Sequence, residues 1–329
     1  MPRQVLFCCF LAILSCAGQE RSGSDATTKH DDPSLTAKPP APTPPGYTWT
    51  KIMDSAAWRK TYNYQMFSVG DSIRNIHPDG AWVSADGQTW QRSPLSDTIS
   101  NQAFLDYVLF KGALYGLGHF TGNIERFQFT PVITRSTNLR SWEVLSRNSN
   151  LPKRFFYHPF VFRDSLWIIG GEDAQTKYSD AWRSADGIRW EKVANKLPMG
   201  PRSGSQVLQL KDTLYLLDND VWASTDGLHW TRICAEIVPG EPIFGYTALV
   251  YDEQLWLFGC NRNGQFTSQV LRSADGRNWQ GADAPWLPRG GVAAVVHHNQ
   301  VFLTGGKYGG TPNHPDFRYD NDLWVMRKN

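Results

Sequence analysis

The chain has 329 residues, with 33 Lys and Arg against 31 Asp and Glu for a net charge of +2, so charge gives no ground for nucleic acid or an anionic membrane surface as a partner. Its 14 Trp, 12 Tyr and 17 Phe stand beside 28 Gly and 20 Pro, a mix that suits short strands joined by tight turns and excludes helical bundles and coiled coils. The longest apolar run, Val5 to Leu14, is shorter than the roughly 20 residues that a membrane-spanning helix needs.

That run opens the chain. Arg3 precedes it and a small residue follows it, which predicts a secretory signal peptide over residues 1–15. Ile13-Leu14-Ser15-Cys16 resembles the bacterial lipobox. The resemblance implies cleavage before Cys16, acylation of its thiol, and lipid anchoring in the bacterial cell envelope, at the outer membrane. Residues 16–46, which end in a Pro-rich run over Lys38 to Pro45, hold almost no aliphatics. They cannot bury enough apolar surface to offset their ordering entropy and are read as a disordered tether.

The remainder, residues 47–329, repeats itself. Ser84-Ala85-Asp86-Gly87 ahead of Trp90 recurs as Ser184 to Gly187 ahead of Trp190, Ser224 to Gly227 ahead of Trp230, and Ser273 to Gly276 ahead of Trp279. A degraded copy runs from Ser136 to Trp142, with Asn138 and Leu139 replacing Asp and Gly. Asp-Gly between short β-type segments signals a tight turn, because Gly accepts positive φ and the Asp side chain bonds its own backbone. The Trp residues at 90, 142, 190, 230 and 279 are spaced by 52, 48, 40 and 49 residues, the period of a four-stranded propeller blade.

The last unit lacks its final strand, and Thr48 to Met53 matches that strand in pattern. The expected fold is therefore all-β, a six-bladed propeller of four-stranded blades, with the ring closed by the N-terminal strand. Cys234 and Cys260 are free to pair in an exported chain, although an outer strand of one blade and an inner hairpin of the next favour too wide a gap.

Gly170-Gly171 and Gly305-Gly306 after apolar strands, Pro201-Arg202-Ser203-Gly204 opening a strand, and Asn219-Asp220-Val221-Trp222 and Asn321-Asp322-Leu323-Trp324 resemble kelch repeats of the galactose-oxidase central-domain type. The Ser-Ala-Asp-Gly turns are similar to a shortened Asp-box. The resemblance covers nearly the whole chain after the tether and is informative for architecture rather than activity. A galactose-oxidase copper site would need ligands beyond the last blade, and the Arg-Ile-Pro motif of sialidases is absent. The eight His show no metal-ligand spacing, so neither metal nor cofactor is expected.

Arg154, Arg202 and Arg289 share one register, each 16 residues before the end of a second strand; the same count reaches Thr61, Gln102 and Ile243 in the other blades. Family topology implies that this register lies on the ligand-bearing face. Converging guanidinium groups there would suit a carboxylate or phosphate, with Glu172, Asp173, His77 and His158 as ionisable neighbours. Arg59, Tyr62 and Tyr64 of the first blade, and Tyr308, Arg318 and Tyr319 of the long polar loop from Lys307 to Asn321, complete the candidate ligand-binding set. Two functions follow. One is an exported, lipid-anchored, monomeric propeller that binds a glycan, an acidic sugar or a protein through its upper-face loops. The other is a mutarotase or epimerase of sugar acids at the channel mouth. The membrane enters either reading through the lipid anchor only, and nucleic acid enters neither.

Overall fold

Apolar–polar alternation over three to nine residues, interrupted by Gly and Asp turns, gives antiparallel strands wherever one face can be covered. The computed structural model describes residues 46–93, 106–121, 128–310 and 315–329. Residues 1–45, which carry the expected signal segment, Cys16 and most of the expected tether, and Gln102 and His314 lie outside the described residues.

Six four-stranded antiparallel sheets follow one another along the chain. Blade 1 comprises Gln65–Val69, Ser72–His77, Gly80–Ser84 and Gln91–Ser93; blade 2 comprises Tyr107–Phe110, Ala113–Thr121, Gln128–Ser136 and Glu143–Ser146. Blade 3 holds Phe160–Phe162, Ser165–Ile169, Ala181–Ser184 and Glu191–Ala194, and blade 4 holds Gln206–Leu210, Thr213–Leu217, Val221–Ser224 and Thr231–Cys234. Thr247–Tyr251, Gln254–Phe258, Gln269–Ser273 and Gln280–Asp283 form blade 5. In blade 6, Ala293–His297, Gln300–Thr304 and Leu323–Lys328 are completed by the N-terminal strand Tyr47–Met53, which pairs Thr48 with Arg327 and Thr50 with Val325. The fold is an all-β propeller closed by its N-terminal strand, as the repeat arithmetic predicts.

The core is distributed among the seams. Each of six apolar clusters draws its side chains from two neighbouring blades. Trp49 of the closing strand packs edge-on against Trp286, with ring centroids 4.4 Å apart, so ring closure and burial of the blade 5–6 seam are one event. At the inner edge the first strands of adjacent blades clasp one another. Gln65 donates to the Tyr107 carbonyl and accepts from its N–H (3.5 and 2.7 Å), and Gln206 does the same for Tyr246 O and Ala248 N (2.7 and 2.9 Å).

The repeated turns lie on the lower face, opposite the starts of the innermost strands. In the first, Ser84 Oγ accepts from Gly87 N, Asp86 Oδ1 accepts from Gln88 N and Thr89 N, and Trp90 Nε1 donates to Gly87 O. The degraded copy keeps the Ser136 and Asn138 side-chain bonds to the turn, with Leu139 forced to φ 61° where the others have Gly, but its Trp142 Nε1 finds no carbonyl partner. Trp190 and Trp230 are buried, whereas Trp90 and Trp279 are half-buried. Cys234 and Cys260 are both free thiols.

Gly87 has φ +74°, and a Cβ there would overlap the Phe302 ring of blade 6. Gly87→Ala is therefore expected to cost about 2–5 kcal/mol, the sum of left-handed strain and overpacking. Gly112 shares φ +74° but faces open space, so Gly112→Ala should cost only the strain, about 1–2 kcal/mol. Equal losses in denaturant titrations would show that the turn does not dock on its neighbour.

Candidate functional site

The upper face is where the innermost strands begin, and the three aligned arginines stand there. The structure does not bring them together on a shared anion. Arg154 donates to both oxygens of Asp180 (2.5 and 3.2 Å) and to Gly170 O. Arg202 bonds Asp220 through two nitrogens (2.7 and 2.9 Å) and also Asp218 (3.0 Å). Arg289 bonds Asp322 (2.5 and 3.2 Å), Asp320 and Gly305 O. Each pair lies within one blade, and Arg154 and Arg289 are 5% and 1% exposed. Each carboxylate also accepts from the indole two residues on, Trp182, Trp222 or Trp324, at 2.7–2.9 Å. The convergent reading of the guanidiniums is therefore corrected to three intra-blade pins, with Asp180, Asp220 and Asp322 as their anchors.

Other predicted site residues divide. Tyr64 is buried, accepting from Trp58 Nε1 at 3.1 Å and meeting Thr304 Oγ1 at 3.3 Å, so its hydroxyl belongs to the blade 1–6 seam. Arg59 is exposed, and its carbonyl meets His77 Nε2 at 2.9 Å. Tyr319 stacks on Tyr62, Lys307 lies over the rings of Tyr62 and Phe317 at 4.6 and 4.2 Å, Tyr308 is half-buried and Arg318 exposed. These groups form an aromatic, basic rim on the blade 6 side.

Among the four ionisable neighbours the geometry discriminates. Asp173 caps Gln175 N and Thr176 N and accepts from the Tyr178 hydroxyl, which uses it structurally. His77 is 1% exposed between Tyr64 and Trp82, and burial pushes its imidazole down to about 4. Glu172 is buried, which raises its carboxyl above the usual range, with Lys177 at 3.9 Å opposing the shift. His158 forms a close ion pair with Asp106, both side chains remaining partly accessible at 30% and 24%. Burial disfavours the charged imidazole, but the Asp106 carboxylate outweighs it, and His158 titrates above its ordinary range.

A recess of about 40 Å³ is lined by Asn63, Asp106, Phe156, Tyr157 and His158. Its backbone belongs to a collar of left-handed residues at the entry to the innermost strands. Asn63 (φ 60°), Phe156 (57°), Gly204 (82°), Gly245 (67°) and Gly291 (66°) occupy one register. Asn63 N donates to Gly291 O, Gly291 N to Gly245 O, and Gly204 N to Phe156 O, at 2.6–2.9 Å. Two residues on, the register holds the inner-ring clasps Gln65, Gln206 and Thr247, Ala293 in blade 6, and Asp106 and His158 in blades 2 and 3. Sequence reading named His158 but missed Asn63, Asp106 and Phe156. Aligning the repeats two and four residues past the arginines would have shown Asn63 and Phe156 as departures from the glycines at 204, 245 and 291, and Asp106 and His158 as the charged members of a column otherwise held by Gln65, Gln206, Thr247 and Ala293.

Residues 137–241 match the family model described as the DUF6242 beta propeller domain. Among solved structures, that of YjhT superposes with a TM-score of 0.66 at 11% identity, covering 84% of this chain and 97% of its own. That likeness concerns the fold. No curated protein sequence matches the chain.

Replacing Arg289 with Ala strands the buried Asp322, with the half-buried Asp320 beside it, without its guanidinium, and an expected loss of about 3–5 kcal/mol follows. An unchanged unfolding midpoint in urea would overturn the pin. His77 is neutral in the native state and more basic when unfolded, so stability is expected to fall as pH drops from about 6.5 towards about 4. The Asp79 carboxylate against His77 Nδ1 opposes that loss. His77→Gln should flatten the profile of melting temperature against pH in that window, and an unaltered slope would count against it.

Proposed function

We propose that this chain is an exported, lipid-anchored, kelch-like propeller that binds a glycan or protein partner through its upper face. The observation that carries the reading is the strained, aromatic and polar cluster at the collar. Phe156 and His158 hold left-handed backbones (φ 57° and 32°), a cost of about 1–3 kcal/mol each that folds retain mainly at functional sites. The aromatic rim of Tyr62, Tyr308, Phe317 and Tyr319 supports the same face. The Arg–Asp–Trp pins and double glycines support the kelch-like assignment, and residues 1–16 support export and anchoring at the outer membrane.

The His158–Asp106 pair favours a second reading, an isomerase of sugar acids at the channel mouth, because such a pair can pass a proton to and from a ring oxygen. Acceleration of anomer exchange, followed by NMR on acidic monosaccharides, tests it, and uncatalysed rates would remove it.

Two measurements test the main reading. Cys16→Ala should move the protein from the membrane to the soluble fraction; sedimentation with membranes in high salt would refute the anchor. On a glycan array, Arg318→Ala with Tyr319→Ala should weaken binding by at least about tenfold, whereas Gln88→Ala on the lower face should not. Equal effects from both faces would sink the upper-face assignment.

A further inference from the structure

The ligand class can be narrowed from the charge balance at the collar, building on the glycan reading above. An acidic ligand seated in the recess needs an uncommitted cation at its wall; the exposed Arg59 and Arg318 do not line it, and the three arginines of the register above it are each neutralised by carboxylates of their own blade. Within the recess, the one cationic side chain, His158, is matched by Asp106. The next buried ionisable group, Glu172, adds an acid, with Lys177 beside it. The recess therefore presents donors and acceptors in balance, the arrangement that suits hydroxyl groups, each of which donates and accepts.

The fold itself does not require these residues. Gln65 and Gln206 clasp neighbouring blades from the register that Asp106 and His158 occupy, so an uncharged amide holds the ring elsewhere. Gly204, Gly245 and Gly291 take the left-handed turn that Phe156 takes under strain. At this corner of the collar, both substitutions replace a cheaper structural solution with a partly accessible polar pair and an aromatic face. The recess, at about 40 Å³, has room for about one hydroxyl or hydroxymethyl group and not for a ring.

We propose that this recess binds the edge of an uncharged, hydroxyl-rich pyranose, with a sugar hydroxyl held between His158, Asp106 and Asn63 and the apolar face of the ring laid on Phe156. Apolar contact with an aromatic face and a few placed polar groups is the usual division of labour in a small-ligand site.

The test is saturation-transfer NMR and titration on the full chain, with methyl glycosides of glucose, galactose, mannose and N-acetylglucosamine set against glucuronate and galacturonate. At least one neutral glycoside should bind more tightly than its uronate counterpart. His158→Gln installs the clasp used in blades 1 and 4, and Phe156→Gly installs the collar residue used in blades 4 to 6. Each should keep the melting temperature within a few degrees and weaken that glycoside by at least about tenfold. Preferential uronate binding that both variants abolish would overturn this inference and leave the glycan reading standing. So would neutral binding indifferent to both variants. Absence of binding by every sugar would overturn both the inference and the glycan half of the reading. Should Phe156→Gly lower stability, His158→Gln decides alone.

Discussion

Three buried carboxylates, Asp180, Asp220 and Asp322, hold the upper face in shape. Removing a carboxylate from water costs several kcal/mol unless a full set of donors replaces the solvent. Here two guanidinium nitrogens and one indole supply that set in each case. The arrangement ties the entry of the innermost strand to the start of the third strand in the same blade. It also reaches the neighbour, because the backbone of the pinned arginine is itself cross-linked: Arg202 N bonds Tyr178 O, and Arg289 N bonds Thr267 O. One charged contact thus fixes both the blade and its place in the ring.

The electrostatics of the upper face follow from that commitment. A guanidinium that satisfies a buried carboxylate cannot turn to a ligand without leaving the carboxylate exposed to its desolvation cost. Register alone therefore misleads. Arginines aligned on the upper face look like an anion site in the sequence, and the aspartates that consume them lie 16 to 33 residues downstream, across a strand and a loop whose pairing the sequence does not display.

Architecture was legible because it is periodic. Ser-x-Asp-Gly turns, the recurring Trp and the missing last strand state the blade, its repeat and the closure by Thr48 to Met53, and these depend on local backbone chemistry that the residues carry themselves. Even Leu139, at φ 61°, keeps its turn, since Ser136 and Asn138 supply the same side-chain bonds as in the intact copies. The candidate site was legible only in part. Asp106 and His158 are 52 residues apart and meet because blades 2 and 3 share a seam, and Phe156 becomes notable only once its φ is known. Burial likewise removed His77 and Tyr64 from the site by placing them in seams that no single repeat announces.

Repetition also says where to look for function. In a ring built from like units, several register positions carry a structural solution that the chain uses more than once. A departure that costs strain or desolvation, and that leaves polar atoms accessible, has no justification in the ring itself. Leu139 is a departure of the first kind alone, fully buried and serving the blade 1–2 seam. The collar at blades 2 and 3 departs at two successive registers, in backbone conformation at Phe156 and in charge at Asp106 and His158, and its side chains stay open to solvent on the face where the long loops gather. Strain, charge and access coincide there, which is why the proposed ligand is placed at this corner of the collar.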